Sequence, residues 1–311
     1  RWVAAALASL AERGYLRPDA TGRWRVAHRD LAALPLARQP LPEQLRSIDR
    51  IDRFVLLERI GSGGQAEVHR AMDESSRAVV ALKLLRKEAL IDREMQERLR
   101  REAEVLARIR HPGVIRLLAH GPLGGDEYYL AMELIAGPTL AQRLAAQGPL
   151  DEASARQLLR QLRESLQAIH ALGLVHRDLK PANLLQRPDG QPVLIDFGLV
   201  QDLGRSTRLT EFGQVVGTLL YMAPEQQHGG LIGPSADWWA FGVLAHEVLL
   251  GVLPWDLAGY DDSARRFALL SPEGAPRRAY PEGFPAIWRA LIDSCLTRDP
   301  EQRRPDFAVL D

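Results

Sequence analysis

Two periodicities divide this chain. Residues 54–57 and 79–85 are short apolar runs flanking Gly61-Ser62-Gly63-Gly64-Gln65-Ala66-Glu67-Val68, which predicts strand, glycine turn, strand. From 92 to 110 the chain is charged, and Leu99, Val105, Leu106 and Ile109 recur at helical spacing, so an amphipathic helix is expected there. Beyond Asp237 polarity nearly vanishes. Residues 238–255 are interrupted only by His246 and Glu247 and end at Pro254-Trp255, which predicts a buried helix rather than a membrane span. Near the start, Val3, Leu7 and Leu10 form a helical stripe that Gly14 would stop. Tyr15-Leu16, a turn cluster over 18–22, and Arg23-Trp24-Arg25-Val26 then predict a small hairpin with Trp24 and Val26 on one face. Prolines 35, 40 and 42 make 34–42 a semi-rigid linker.

Composition narrows the class without naming a function. The 311 residues are 46% hydrophobic and 26% charged, as in a globular protein. Lys+Arg and Asp+Glu both total 40, so no global charge points to nucleic acid or membrane. Residues 1–52 carry nine basic and six acidic residues, an excess of only +3, and a packing or regulatory module is expected there rather than a nucleic-acid contact. A single cysteine, Cys295, allows no internal disulfide and suits a reducing cytoplasm. No secretory signal opens the sequence, and Arg1 together with the stop soon after Arg303 reads as a piece of a longer protein.

Chemistry concentrates at His176-Arg177-Asp178, followed by Lys180, Asn183 and, 18 residues after Asp178, by Asp196-Phe197-Gly198. Two carboxylates, a lysine and an amide in this order can hold phosphates with a metal and steer a hydroxyl. The tripeptide alone proves little: His28-Arg29-Asp30 repeats it, but Pro35 stands where Asn183 follows Asp178, so that copy reads as chance. The second copy has its context. Upstream come the glycine turn, Val80-Ala81-Leu82-Lys83, and Glu102, ten residues before Pro112; downstream come Met222-Ala223-Pro224-Glu225, Asp237 and Arg303.

In this order the motifs resemble the eukaryotic-type serine/threonine protein kinases, closest in look to bacterial members because Gln226 follows Glu225. The resemblance runs over residues 61–303, and Ala66 departs from it where the family has a third glycine. It implies an α+β, two-lobed kinase fold, with a small β-rich lobe over 53–131 and a large helical lobe over 132–311 that stops short of the family's last helix. Residues 1–52, outside this resemblance, look like half of a winged helix followed by a linker. It further implies ATP and Mg²⁺, or Mn²⁺ in its place, with protein hydroxyls as acceptors. Lys83 would hold the α- and β-phosphates and be held by Glu102; Glu104, two residues on, faces nearly the opposite side of the helix. Asn183 and Asp196 would bind the metal, Asp178 would take the hydroxyl proton, and Lys180, the mark of serine/threonine transfer, would meet the γ-phosphate.

The same resemblance builds the ATP pocket from Gly61, Ser62, Gly63, Gly64, Ala66, Val68, Ala81, Lys83, the hinge Met132, Glu133 and Ile135, and Leu185. It implies that Arg177 receives an activating phosphate from Thr210, with Thr207 as alternative, while Thr218 contacts Asp178 and Lys180. Asp237 would brace the catalytic loop, Glu225 would pair with Arg303, and Thr139, where an acid often stands, argues against an Arg-directed preference. A nucleotide-binding scaffold without transfer, a small-molecule phosphotransferase, and a DNA-binding regulator built on 1–52 are the other readings.

Overall fold

In the computed structural model, which describes residues 16–18, 24–26, 50–62, 66–85, 93–123, 127–197, 219–227, 231–271 and 273–311, the short apolar runs become strands. The chain divides into two units, Arg1–Ile48 and Asp49–Asp311. In the first, β1 (Leu16–Pro18) pairs antiparallel with β2 (Trp24–Val26), placing Leu16 opposite Val26, the hairpin that the turn cluster predicts. The expected helix over 3–13, the linker over 34–42 and the chance tripeptide at 28–30 lie outside the described residues.

The second unit opens with β3 (Arg50–Ile51), β4 (Phe54–Ser62), β5 (Ala66–Asp73) and β6 (Ala78–Leu85), then α1 (Arg93–Leu106), β7 (Leu117–Leu123) and β8 (Glu127–Glu133). The strands form one antiparallel sheet in the order β3-β4-β5-β6-β8-β7. Phe54, Ala71, Val80, Leu82, Tyr129 and Ala131 bury one cluster, in which the Phe54 ring meets Tyr129 edge-on at 5.2 Å. β4 shifts register between Leu56 and Glu58 and again between Arg59 and Gly61, and such bulges bend a strand as it enters the glycine turn.

The helix expected over 92–110 ends earlier. α1 stops at Leu106, and Arg108 and Ile109 donate three residues back, to Val105 and Leu106, in a tightened last turn. Pro112 forbids continuation, and Ile109 is buried as part of the turn rather than of the helix.

The large lobe holds α2 (Leu140–Gln147), α3 (Glu152–His170), the hairpin of β9 (Leu184–Gln186) with β10 (Pro192–Leu194), α4 (Pro224–Gln227), α5 (Pro234–Leu250), α6 (Asp262–Leu270) and α7 (Ala286–Cys295). Thr139 and Gln142 close a capping box on α2, and the Asp151 carboxylate caps α3. α5 is buried along nearly its whole length, which is why its sequence is apolar all round. Proline in its first turn and Gly251 at φ 71° set its ends. Gly242 brings α5 against α7: a Cβ there would lie 2.5 Å from Cys295 Cβ. No helix among the described residues is long and apolar enough to cross a membrane.

Candidate active site

The catalytic loop hangs from one buried carboxylate. Asp237, in the first turn of α5, accepts the backbone N–H of His176 at Oδ2 and of Arg177 at Oδ1, both at 2.8 Å. His170, at the end of α3, adds a 2.8 Å contact from Nε2 to the same Oδ2 and stacks edge-on against Trp238. The His176 ring is fully buried; its Nε2–H donates to the Ile195 carbonyl at 2.9 Å, and burial pushes its pKa down, which keeps it neutral. Through this bond the loop at 176 is fixed to the segment bearing Asp196.

On that frame the polar groups converge. Lys180 Nζ donates to both Asp178 oxygens at 3.0 and 2.9 Å, and Asn183 Nδ2 donates to Asp178 Oδ2 and to its backbone carbonyl, both at 2.8 Å. Asn183 thereby spends its amide nitrogen on Asp178, and its Oδ1 is the side-chain atom with lone pairs to offer. Lys83 Nζ donates to Asp196 Oδ1 at 2.9 Å across 113 residues of sequence, joining the sheet to the large lobe. The ammonium of Lys83 holds the Asp196 carboxyl below the usual carboxylate range, against the opposing effect of burial. Arg177 and Asp196 sit at φ 68° and 55°, a left-handed backbone that side chains other than glycine seldom adopt and that clusters at functional sites.

One expected pair is absent. Glu102 does not meet Lys83; its Oε1 instead accepts from Arg98 Nε, one turn back in α1, and from Arg177 Nη1, both at 3.3 Å. Lys83 instead donates its hydrogen bond to Asp196. Spacing places Glu102 on the expected helix, but two cations and two carboxylates can pair in more than one way, and here Lys83 takes Asp196 while Arg177 takes Glu102.

Around this cluster, Val68 lies opposite Lys83 in the β5–β6 register and Ala81 opposite Met132 in β6–β8. Ala66, Met132 and Ile135 belong to the main buried cluster, with Ala81 and Leu185 packed against it. Gly61 and Ser62 end β4, opposite Val68 and Glu67. The Glu133 side chain is committed elsewhere: Oε1 takes the Arg116 N–H at 3.0 Å and Arg187 Nη2 at 2.7 Å, and the Glu133 N–H donates to the Arg116 carbonyl at 3.0 Å. Thr139 is likewise occupied in its cap. Gly63, Gly64, Thr207, Thr210 and Thr218 lie outside the described residues.

Three contacts were not anticipated from the sequence. Tyr221 Oη donates to Glu247 at 2.5 Å, and burial pushes the Glu247 carboxyl up and the Tyr221 phenol well beyond its usual range. The interruption of the apolar stretch by Glu247 was the available signal. His170 on Asp237 gave none, and neither did Gln226, whose amide reaches Arg177.

A family model described as the protein kinase domain matches residues 54–308. Serine/threonine-protein kinase PknA of Mycobacterium tuberculosis is 36% identical over 255 residues, 81% of this chain and 58% of the relative. PknL of the same organism is 33% identical over 275 residues, 88% of this chain and 66% of the relative. PrkC of Bacillus subtilis is 33% identical over 253 residues, 81% of this chain but 38% of the relative. The chain thus spans little more than half, or less, of two of these relatives.

Proposed function

The chain belongs to the protein kinase domain family, and from that premise we propose that it moves the γ-phosphoryl of ATP to serine or threonine hydroxyls of proteins, in bacterial signalling. The observation that carries this is the convergence of Asp178, Lys180 and Asn183 within hydrogen-bonding distance of one another, on a loop tied through His176 to the segment of Asp196 and Lys83.

Phosphoryl transfer passes through a loose, anionic transition state, so the protein's work is positioning and charge compensation. Asp178, fixed by Lys180 and Asn183, would orient the acceptor hydroxyl and take its proton. Lys180, already beside that carboxylate, is placed to offset charge on the γ-phosphate. Lys83 would hold the α- and β-phosphates. The family implies ATP with a divalent metal. The donor set fits Mg²⁺ or Mn²⁺: Asn183 Oδ1 and Asp196 are two oxygen ligands, the sparse protein share usual for a hard ion that also binds phosphates. Asn183 and Asp196 would hold the metal, whose chemistry is to supply positive charge against the negative charge of the phosphates. Gly61, Ser62, Gly63, Gly64 and Ala66 would cover the phosphates, and Val68, Ala81, Met132, Ile135 and Leu185 the adenine, with the Glu133 backbone at its edge.

We place the kinase domain at 53–311 and a separate winged-helix-like segment at 1–52, and a cytoplasmic setting is proposed on the single, buried Cys295. Phosphate on Thr210, or on Thr207, would draw Arg177 from Glu102 and free that carboxylate for Lys83; Thr218 would face Asp178 instead.

Incubation with ATP and Mg²⁺ followed by mass spectrometry should show phosphoserine or phosphothreonine on the chain or on a generic protein substrate. Asp178→Asn should lower the rate about 10²–10⁴-fold with nucleotide affinity retained, whereas Asp196→Asn should weaken nucleotide–metal binding too. Nucleotide binding by the wild type without any transfer would replace this reading with that of a scaffold.

A further inference from the structure

Arg177, the residue that delivers Asp178, is gripped at its N–H and at its carbonyl by side chains of other elements. The Arg177 N–H donates to Asp237 Oδ1 at 2.8 Å, and its carbonyl accepts from Gln226 Nε2 at 2.9 Å. The residue between these grips sits at φ 68°, a conformation it does not hold by local preference. One grip comes from the buried α5; the other comes from α4, a helix of four residues.

Gln226 is suited to that second grip by its own wiring. Its Oε1 accepts the Ala223 N–H at 3.1 Å, while its backbone N–H returns to the Ala223 carbonyl at 3.0 Å. This is half of a capping box, the third helical residue reaching back to the residue before the helix. The bond also fixes which way the amide faces: an N–H can be met only by the oxygen, so the nitrogen is the atom turned to the Arg177 carbonyl. The helix under it is anchored one residue away, where Glu225 binds the buried Arg303 guanidinium at 2.7 and 3.1 Å. Gln226 is therefore a strut standing on a fixed base.

We propose that Gln226 is a positioning residue for catalysis: its amide N–H holds the 177–178 peptide plane, and with it the Asp178 carboxylate, in the orientation needed for transfer. It does not touch the reacting atoms and acts only through Asp178. The inference rests on the kinase reading above.

Gln226→Glu isolates the strut. The introduced carboxyl keeps the cap on Ala223 and the side-chain shape, but when ionised it offers the Arg177 carbonyl a lone pair in place of a proton. Near neutral pH, kcat should fall about 10–100-fold, the effect of replacing a hydrogen bond with an unsatisfied, repelled acceptor next to the reacting geometry. KM for ATP should stay near wild type, and the melting temperature should fall by a few degrees, as one unsatisfied acceptor implies. As pH falls from about 8 toward 5.5 the new carboxyl, its pKa raised above the usual value of about 4.3 by the facing carbonyl, gains a proton and can donate again. The wild-type to variant ratio of kcat should then shrink, a recovery that a purely structural lesion would not show. Equal kcat at neutral pH, or a ratio flat across the range, would overturn the proposal. Amide hydrogen exchange over 174–182, normalised for intrinsic rate, should be faster in Gln226→Glu near neutral pH. That arm needs no activity. If the wild type transfers no phosphate, the kinase reading fails, and unchanged protection in the variant would sink the strut independently.

Discussion

Replacing Arg303 tests how the large lobe holds α4. A guanidinium has five N–H donors, and here every one is used. Nη1 donates to Glu225 Oε1 and the Ser235 carbonyl, both at 2.7 Å. Nη2 donates to Glu225 Oε2 and the Arg298 carbonyl, both at 3.1 Å, and Nε to the Thr297 carbonyl at 2.8 Å. The Arg303 side chain is 0% exposed and that of Glu225 6%, and the guanidinium lies 5.1 Å from the Trp239 ring centre. Arg303→Met takes these donors from a buried carboxylate and three carbonyls. Breaking one side of a buried pair costs about 3–5 kcal/mol, and at about 2–4 °C per kcal/mol for a domain of this size the melting temperature should drop by about 6–20 °C. Glu225→Gln, which strands the buried cation instead, should cost a comparable amount. The double variant should lose clearly less than the sum of the singles, because the second change removes a charge that the first left uncompensated. Scanning calorimetry on the three variants and wild type closes the cycle. A shift of under about 2 °C for Arg303→Met would mean that the guanidinium is not bound as described, since even one lost charged hydrogen bond exceeds that.

Three other measurements follow from the same geometry. Gly242→Ala would place a Cβ 2.5 Å from Cys295 Cβ and 3.3 Å from Leu296, so α5 and α7 must part at a cost of about 1–3 kcal/mol; an unchanged melting temperature would contradict the close approach. His176 and His246 are both buried with pKa values pushed down by burial, so the unfolded chain binds more protons than the native one. Stability should therefore be full above about pH 6.5 and fall below it by up to about 1.4 kcal/mol per pH unit for each histidine, while the Asp196 contribution is lost only below about pH 4; a urea midpoint flat between pH 7 and 5.5 would refute this. Finally, double-mutant cycles for melting of the nucleotide-free protein should couple Glu102 to Arg177. Cycles for kcat/KM should couple Glu102 to Lys83 instead, and kinetic additivity of Glu102→Gln with Lys83→Met would show that no exchange of partners accompanies catalysis.

The parts legible in the sequence were those that local pattern dictates. Apolar runs around a glycine turn give β4 and β5, and a helix that is apolar on every side can only be the buried α5. Spacing also brings Asp178, Lys180 and Asn183 together, since they share one short loop. What spacing could not settle is which of several reachable partners an ion takes. Glu102 stands on the expected helix yet meets Arg177, because partner choice among four charged groups depends on conformation and ligand rather than on residue order. The end of α1 at Leu106 was masked by Ile109, which is buried as a helical residue would be but by a turn.

Arg177 shows why such a site resists sequence reading and what its structure adds. Its N–H is bound by Asp237, its carbonyl by Gln226, and its guanidinium by Glu102. Those partners come from α5, α4 and α1, elements up to 75 residues away in sequence, and each reports a different condition. α5 is the buried helix of the large lobe, α4 is the short helix that Glu225 anchors to Arg303, and α1 carries Glu102, the carboxylate proposed as a partner of Lys83. A left-handed backbone at φ 68° is tolerated there because three surrounding elements over-determine it. Loosening one grip without its anchor, as Gln226→Glu does, should therefore lower kcat out of proportion to the loss of stability, and that disproportion distinguishes a residue held for catalysis from one held for packing.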